Sequence, residues 1–170
     1  MSMSEASEMK PAPAWAKETG HVILRPLTSG AASENGVDRA LIAERIYRYG
    51  WAYDERNPEL LGDCFTDDGV WEGSIMGQIT VGPFVGRKAI VDFLASFWTI
   101  QSDQRRHIFT NVIIDGLTDV QAVGQAYLML TASSDSTMKP VTTGPYRFEF
   151  AKENDSWRMK RLEGGFDAPF

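Results

Sequence analysis

The chain has 170 residues, 43% hydrophobic and 24% charged, with a net charge of −6. That is the length of one domain and enough to bury roughly 70% of the unfolded surface. The acidic balance gives no electrostatic pull toward nucleic acid or an anionic membrane, and Arg105–Arg106 is only a two-residue basic spot.

A single cysteine, Cys64, excludes an intramolecular disulfide framework and a cysteine-cluster metal site. No run approaches the ~20 apolar residues of a membrane span. The polar start, MSMSEASEMKPAPAWAKETG, lacks the apolar core of a signal peptide, so a cytoplasmic protein is the expectation. Residues 1–32 read as an arm. Its one apolar patch, HVILRP (21–26) with His21, suits an added strand on the domain or on a neighbouring subunit. Residues 33–170 read as a single domain.

A helix is predicted from Ser33 to Glu55, with Ser33, Asn35 and Asp38 as candidate N-caps. Val37, Ala40, Leu41, Tyr47, Trp51 and Asp54 approximate its inward stripe. Asn57-Pro58 breaks the chain, PELLGDCF makes a short second helix, and TDDG reads as a turn with Asp67 and Asp68 at the surface. Residues 70–83 form one or two short strands around glycines. GRKAIVDFLASFWTI (86–100) is a helix whose stripe of Ala89, Ile90, Phe93, Leu94, Phe97 and Trp98 faces the core.

After Asp103 the period becomes two. Strands are expected over about 107–115, 119–133, 143–152 and 156–164, broken by DGLTD, the polar stretch 133–140 and ENDS. Helices first, then long meandering antiparallel strands, indicate an α+β fold with the helices on one sheet face.

No GxGxxG, Walker, HExxH or GxSxG motif is present. What remains is a small polar set on an apolar framework: Tyr47, Tyr49, Tyr53 and Asp54 on the first helix, Trp71 on the first strand, and His107 and Asn111 in RRHIFTN. Alternation places His107, Phe109, Asn111 and Ile113 on one strand face. Taken singly, Asp54 reads as a helix-terminal residue bonding the next turn, and His107 as a hydrogen-bonded core histidine. Taken together they read as chemistry. An Asp that accepts the Nδ1–H of a His fixes its tautomer and leaves Nε2 to take a proton, while nearby tyrosines donate to a developing oxyanion. Such proton transfer needs no metal and no cofactor.

RYGWAYDERNPELLGDCFTDDGVWEG, the GRKAI helix and RRHIFTNVIID resemble, in that order and spacing, the nuclear transport factor two-like superfamily in its SnoaL-like branch; SWRMKRLEGG matches the closing strand. The resemblance covers about residues 36–165. It implies a cone: a strongly curved antiparallel sheet around N-terminal helices, enclosing one apolar pocket. Within that superfamily the motifs are similar to those of scytalone dehydratase, bile-acid dehydratase and hexachlorocyclohexane dehydrochlorinase. There a helix-end Asp and a strand His form a proton-transfer pair, implying Asp54 and His107 here. Tyr53 matches a tyrosine of the first enzyme and Tyr49 one of the second.

Some family positions differ. VGQAYLML lacks a second pocket histidine, Tyr146 falls near a pocket asparagine, Trp71 replaces a pocket tyrosine, and Tyr49 stands where the dehydrochlorinase has lysine. Arg147 or Arg161 is a candidate second polar group.

The expected function is cofactor-free dehydration, elimination or isomerisation of a hydrophobic aromatic, polyketide- or steroid-like substrate. His107 is the base, Asp54 orients it, and Tyr53 or Tyr49 polarises the substrate oxygen. Asn111, Trp71, Tyr146, Phe148, Trp51 and Phe109 are expected to bind substrate. The rival is a non-catalytic binding domain or the small subunit of a ring-hydroxylating oxygenase. An epoxide hydrolase ranks behind, since it needs a further pocket carboxylate and only Asp115 and Glu149 lie near. The expected partner is a small hydrophobic molecule, with neither nucleic acid nor membrane. The exposed sheet face and edges predict a homo-oligomer, trimer or dimer.

Overall fold

A computed structural model describes residues 35–170. The predicted arm, His21 and Ser33 lie outside the described residues. Helix α1 (Gly36–Asp54) buries Ile42, Ile46, Tyr49, Gly50, Ala52, Tyr53 and Asp54. This corrects the predicted stripe: Val37, Leu41, Tyr47 and Trp51 are exposed, Trp51 by 62%. The buried face carries Ile42, Ile46, Tyr49 and Tyr53 and closes on the sheet at Gly50. At Gly50 an added Cβ would lie 3.1 Å from the His107 Cβ, so the helix can rest on the strand only with small residues there.

Asn57 caps helix α2 (Pro58–Asp63) by accepting the Leu60 N–H at 2.9 Å, with Pro58 in the first turn where no N–H is needed. Strands β1 (Phe65–Ile75) and β2 (Ile79–Val85) form a hairpin, then helix α3 (Arg87–Ser96) runs into a 3₁₀ turn at Phe97–Thr99. Asp67 and Asp68 lie at the surface as expected, but inside β1 rather than in a turn, paired with Arg87 and Lys160.

The remaining chain is a meander of β3 (Gln104–Asp115), β4 (Gln121–Ser134), β5 (Thr137–Glu153) and β6 (Ser156–Phe166). The stretch 133–140 does not break the strands. It is the exposed tip of a hairpin, closed at Asp135 and Ser136, both of positive φ. Its polarity reports exposure, not irregularity.

The six strands form one open, curved sheet in the order β2-β1-β6-β5-β4-β3. The α+β architecture is therefore the expected one. The sheet is mixed, however, because β1 and β6 pair in parallel. The chain leaves β1 through β2 and α3, and the returning meander brings β6 alongside β1 in the same direction.

One irregularity changes which residues face inward. The β3–β4 register shifts between Thr110 and Ile113, where Asn111 takes φ of 54°. This bulge reverses the alternation. Before it, His107 and Phe109 point to the core; after it, Val112 and Ile114 do.

Candidate active site

Asp54 ends α1, and the close approach permitted at Gly50 sets it against β3. Both of its carboxylate oxygens serve one residue. Oδ1 lies 2.6 Å from His107 Nδ1, and Oδ2 accepts the His107 backbone N–H at 2.7 Å. The two side chains are 5% and 7% exposed. A carboxylate can only accept, so Nδ1 carries the hydrogen. In the neutral ring the other nitrogen, Nε2, is then an acceptor. The Gln104 side chain donates to the Asp54 carbonyl at 3.0 Å, which ties the helix end to the start of β3.

His107 forms part of the wall of a cavity of about 180 Å³. Tyr49, Tyr53 and Arg105 stand beside it, Trp71 and Ile75 come from β1, and Val81 comes from β2. Helix α3 and the turn after it supply Phe93, Leu94, Phe97 and Gln101. Leu130, Tyr146 and Phe166 form the sheet side, and Phe170 reaches the same cavity from the tail.

Two tyrosine hydroxyls are engaged there. Trp71 Nε1–H donates to Tyr49 Oη at 3.2 Å, and Tyr53 Oη lies 3.1 Å from Gln101 Nε2 and 3.3 Å from its Oε1. Burial pushes the Tyr49, Tyr53 and Tyr146 hydroxyls above the usual phenol range, with the Trp71 and Gln101 hydrogen bonds opposing it at the first two. They are protonated donors near neutrality. Burial also pushes the Cys64 thiol up to about 11, and its Sγ donates to the Leu60 carbonyl, so it is no nucleophile.

Of the predicted site residues, Tyr49, Tyr53, Trp71, His107 and Tyr146 line the cavity, and Asp54 stands behind His107. Phe109 and Phe148 do not line it. They are buried behind the wall, where Phe109 packs on Tyr49, His107 and Tyr146 and Phe148 continues the row toward Phe150. Trp51 points to solvent, and Asn111 is exposed because the bulge turns it outward. Arg147 and Arg161 are on the outer sheet face, paired with Glu149 and Glu163 and with Glu72. Neither Asp115 nor Glu149 lines the cavity.

Arg105, Gln101, Phe97 and the tail phenylalanines were missed as pocket residues. Arg105 had a usable signal, since it stands two residues before His107 and so on the same strand face. Its basic neighbour Arg106 concealed this, because the pair reads as a surface spot. Among the described residues no group of three His, Cys, Asp or Glu gathers where a metal ion could be held, and no helix is long and apolar enough to cross a membrane.

An open sheet curved around helices, with one aromatic cavity and a few convergent polar groups, defines a small-molecule pocket domain. The chain belongs to the SnoaL-like domain family, whose model matches residues 37–163. No curated protein matches the sequence.

Three solved structures from Novosphingobium aromaticivorans are similar to it. A nuclear transport factor two-like protein with a cystatin-like fold is 23% identical, with TM-score 0.66, covering 84% of this chain and 91% of that one. The β subunit of a candidate aromatic-ring-hydroxylating dioxygenase is 16% identical, with TM-score 0.69 and coverages of 79% and 92%. A candidate scytalone dehydratase is 21% identical, with TM-score 0.64 and coverages of 76% and 83%. At these identities the likeness establishes the fold.

Proposed function

We propose that the protein is a small-molecule enzyme that moves a proton between carbon and oxygen positions of an apolar substrate, by dehydration, elimination or isomerisation. His107 is the general base and acid through Nε2. Asp54 holds the ring in the required tautomer and offsets the positive charge that forms on it. Tyr49 donates to a substrate oxygen, since its hydroxyl accepts from Trp71 and keeps its own proton to give.

The observation that carries this reading is the Asp54–His107 bond at 2.6 Å, buried on one side and facing an apolar cavity on the other. An isolated buried carboxylate is expensive, and here its two oxygens are committed to the ring and the backbone N–H of one histidine. The cavity favours a substrate of about one ring over a polycyclic one, because an apolar hole of about 150 Å³ already takes benzene.

The test is deuterium wash-in. The protein is incubated in D₂O with single-ring ketones, with and without a β-hydroxyl, and exchange is followed by NMR. Exchange or water loss that disappears in His107→Ala supports the reading; a panel left unchanged, or turnover that survives the substitution, removes it. A second reading, a non-catalytic oxygenase small subunit, is favoured by the fold likeness to the dioxygenase β subunit. It predicts no exchange with any ketone.

A further inference from the structure

Arg105 lines the cavity, and among the described residues its guanidinium is only partly hydrogen-bonded. Its Nε donates to Asp103 Oδ1 at 2.6 Å, and the side chain is 14% exposed. Its Nη1 is sealed from solvent and has no acceptor among the described residues, although the residue lines the cavity. Leaving a buried donor unpaired is costly, and more so when the group is charged. Asp103 offsets the charge, so what the site lacks is an acceptor atom. Tyr53 is engaged with Gln101, and Tyr49, which accepts from Trp71, keeps a neutral O–H to give; Arg105 adds a cationic donor beside it.

The position sharpens the point. Arg105 and His107 are alternate residues of β3, so their Cα atoms are about 7 Å apart on the same face. One small ring spans that distance. We propose that Arg105 is the anion-binding group of the site. It takes the oxygen of a single-ring ketone or enone on which negative charge develops as His107 removes the neighbouring proton. This rests on the proton-transfer reading above.

The electrons balance as follows. Nε2 of His107 takes the proton from the carbon beside the carbonyl. The C–H pair becomes the enolate C=C, and the carbonyl π pair moves onto oxygen, where the Arg105 N–H meets it. The oxygen pair then re-forms the C=O. In an enone the enolate pair shifts to the next C–C bond, and the former alkene pair takes the proton back from His107 at the more distant carbon, giving the isomer. In a β-hydroxy ketone the enolate pair becomes the new C=C, the Cβ–O bond breaks, and the departing hydroxyl takes that proton as water.

The probe is 4-nitrophenol, a one-ring enolate mimic whose phenolate alone absorbs in the visible, so its spectrum reports the ionisation of the bound molecule without turnover. The native protein is expected to bind it as the phenolate and lower its ionisation midpoint by roughly one unit or more. Arg105→Met is expected to abolish the shift and weaken phenolate binding about tenfold or more, with Arg105→Gln as the second variant if the first does not fold. His107→Gln is expected to keep the shift, so a failure of the histidine as base and a failure of this proposal are read separately. Binding as the neutral phenol overturns the proposal, as does no saturable binding, a shift that survives loss of the arginine, or one that vanishes with His107→Gln alone.

Discussion

Helix α1 and strands β3 to β6 each run from one end of the domain to the other, yet the two ends are built to different specifications. At the far end Ile42, Ile46, Phe150, Trp157 and Met159 fill the space between helix and sheet, each 2% exposed or less. At the site end the same helix presents Tyr49, Tyr53 and Asp54, the same strands present Arg105, His107 and Tyr146, and a cavity lies between them. The first end stores stability in close packing. The second leaves apolar surface and polar donors unpacked against each other, which is weaker as a core and suited to holding a ligand. Gly50 marks the transition, since it brings the helix onto β3 where one regime gives way to the other.

Substitutions should separate the two ends. The largest effect is expected at His107: replacing it by alanine lowers turnover by about 10²- to 10⁴-fold, measured on whichever ketone shows wash-in. The mirror experiment is Phe150→Ala, which should cost about 3–5 kcal/mol in denaturant unfolding while the folded protein binds 4-nitrophenol with unchanged affinity. If binding falls in parallel with stability, the ends are one unit and the comparison fails.

Asp54→Ala acts on both. It leaves the His107 backbone N–H without its acceptor and should cost about 1–3 kcal/mol. It should also change the ¹⁵N spectrum of the imidazole, because the tautomer is no longer fixed. Trp51→Ala should do neither, staying within about 0.5 kcal/mol of the native protein and binding the probe equally, as expected of an exposed side chain.

The smallest effect is a matter of pH. Hydrogen bonds from Trp157 Nε1–H at 2.7 Å and from Lys152 at 3.1 Å hold the Asp38 carboxyl below the usual carboxylate range at the far end. A carboxyl lowered in the folded state stabilises above its unfolded value and loses that contribution as pH falls through its folded one. Asp38→Asn should therefore be less stable than the native protein near neutrality, with the gap closing below about pH 4. A gap that stays constant down to pH 2 would mean that the aspartate acts by packing alone.

The far end and the site differ also in how legible they were. On β5 the alternation of GPYRFEF holds throughout, with Tyr146, Phe148 and Phe150 buried, and it is this burial that puts Arg147 on the outer face, which the sequence left open. The same rule failed on β3, where a single left-handed residue, Asn111, inverted the parity beyond it. A bulge leaves no hydrophobic signature, so Asn111 read as a pocket residue when its value is conformational. On α1 apolar residues stand on both faces, so the stripe through Val37, Leu41, Tyr47 and Trp51 competed with the buried one through Ile42, Ile46, Tyr49 and Tyr53. Asp54 and His107 were found by chemistry and resemblance. Arg105 was reachable by the parity that found Phe109, and was passed over because arginine is expected outside.

The parallel pairing of β1 with β6 has a consequence for assembly. It joins residues 65–75 to residues 159–166, contacts of long range in sequence. On the other side of β6, Gly144 lets β5 pass the backbone of Gly165, since any Cβ at that position would overlap the Gly165 carbonyl oxygen. Trp71 on one partner and Phe166 on the other both line the cavity, their rings meeting over Gly73. Contacts of such span form late, after the loop between them has been closed at its entropic cost. Phe166 reaches the cavity from β6, so the pocket wall is complete only when β6 lies in place beside β1, and a chain ending before residue 159 would lack that part of it.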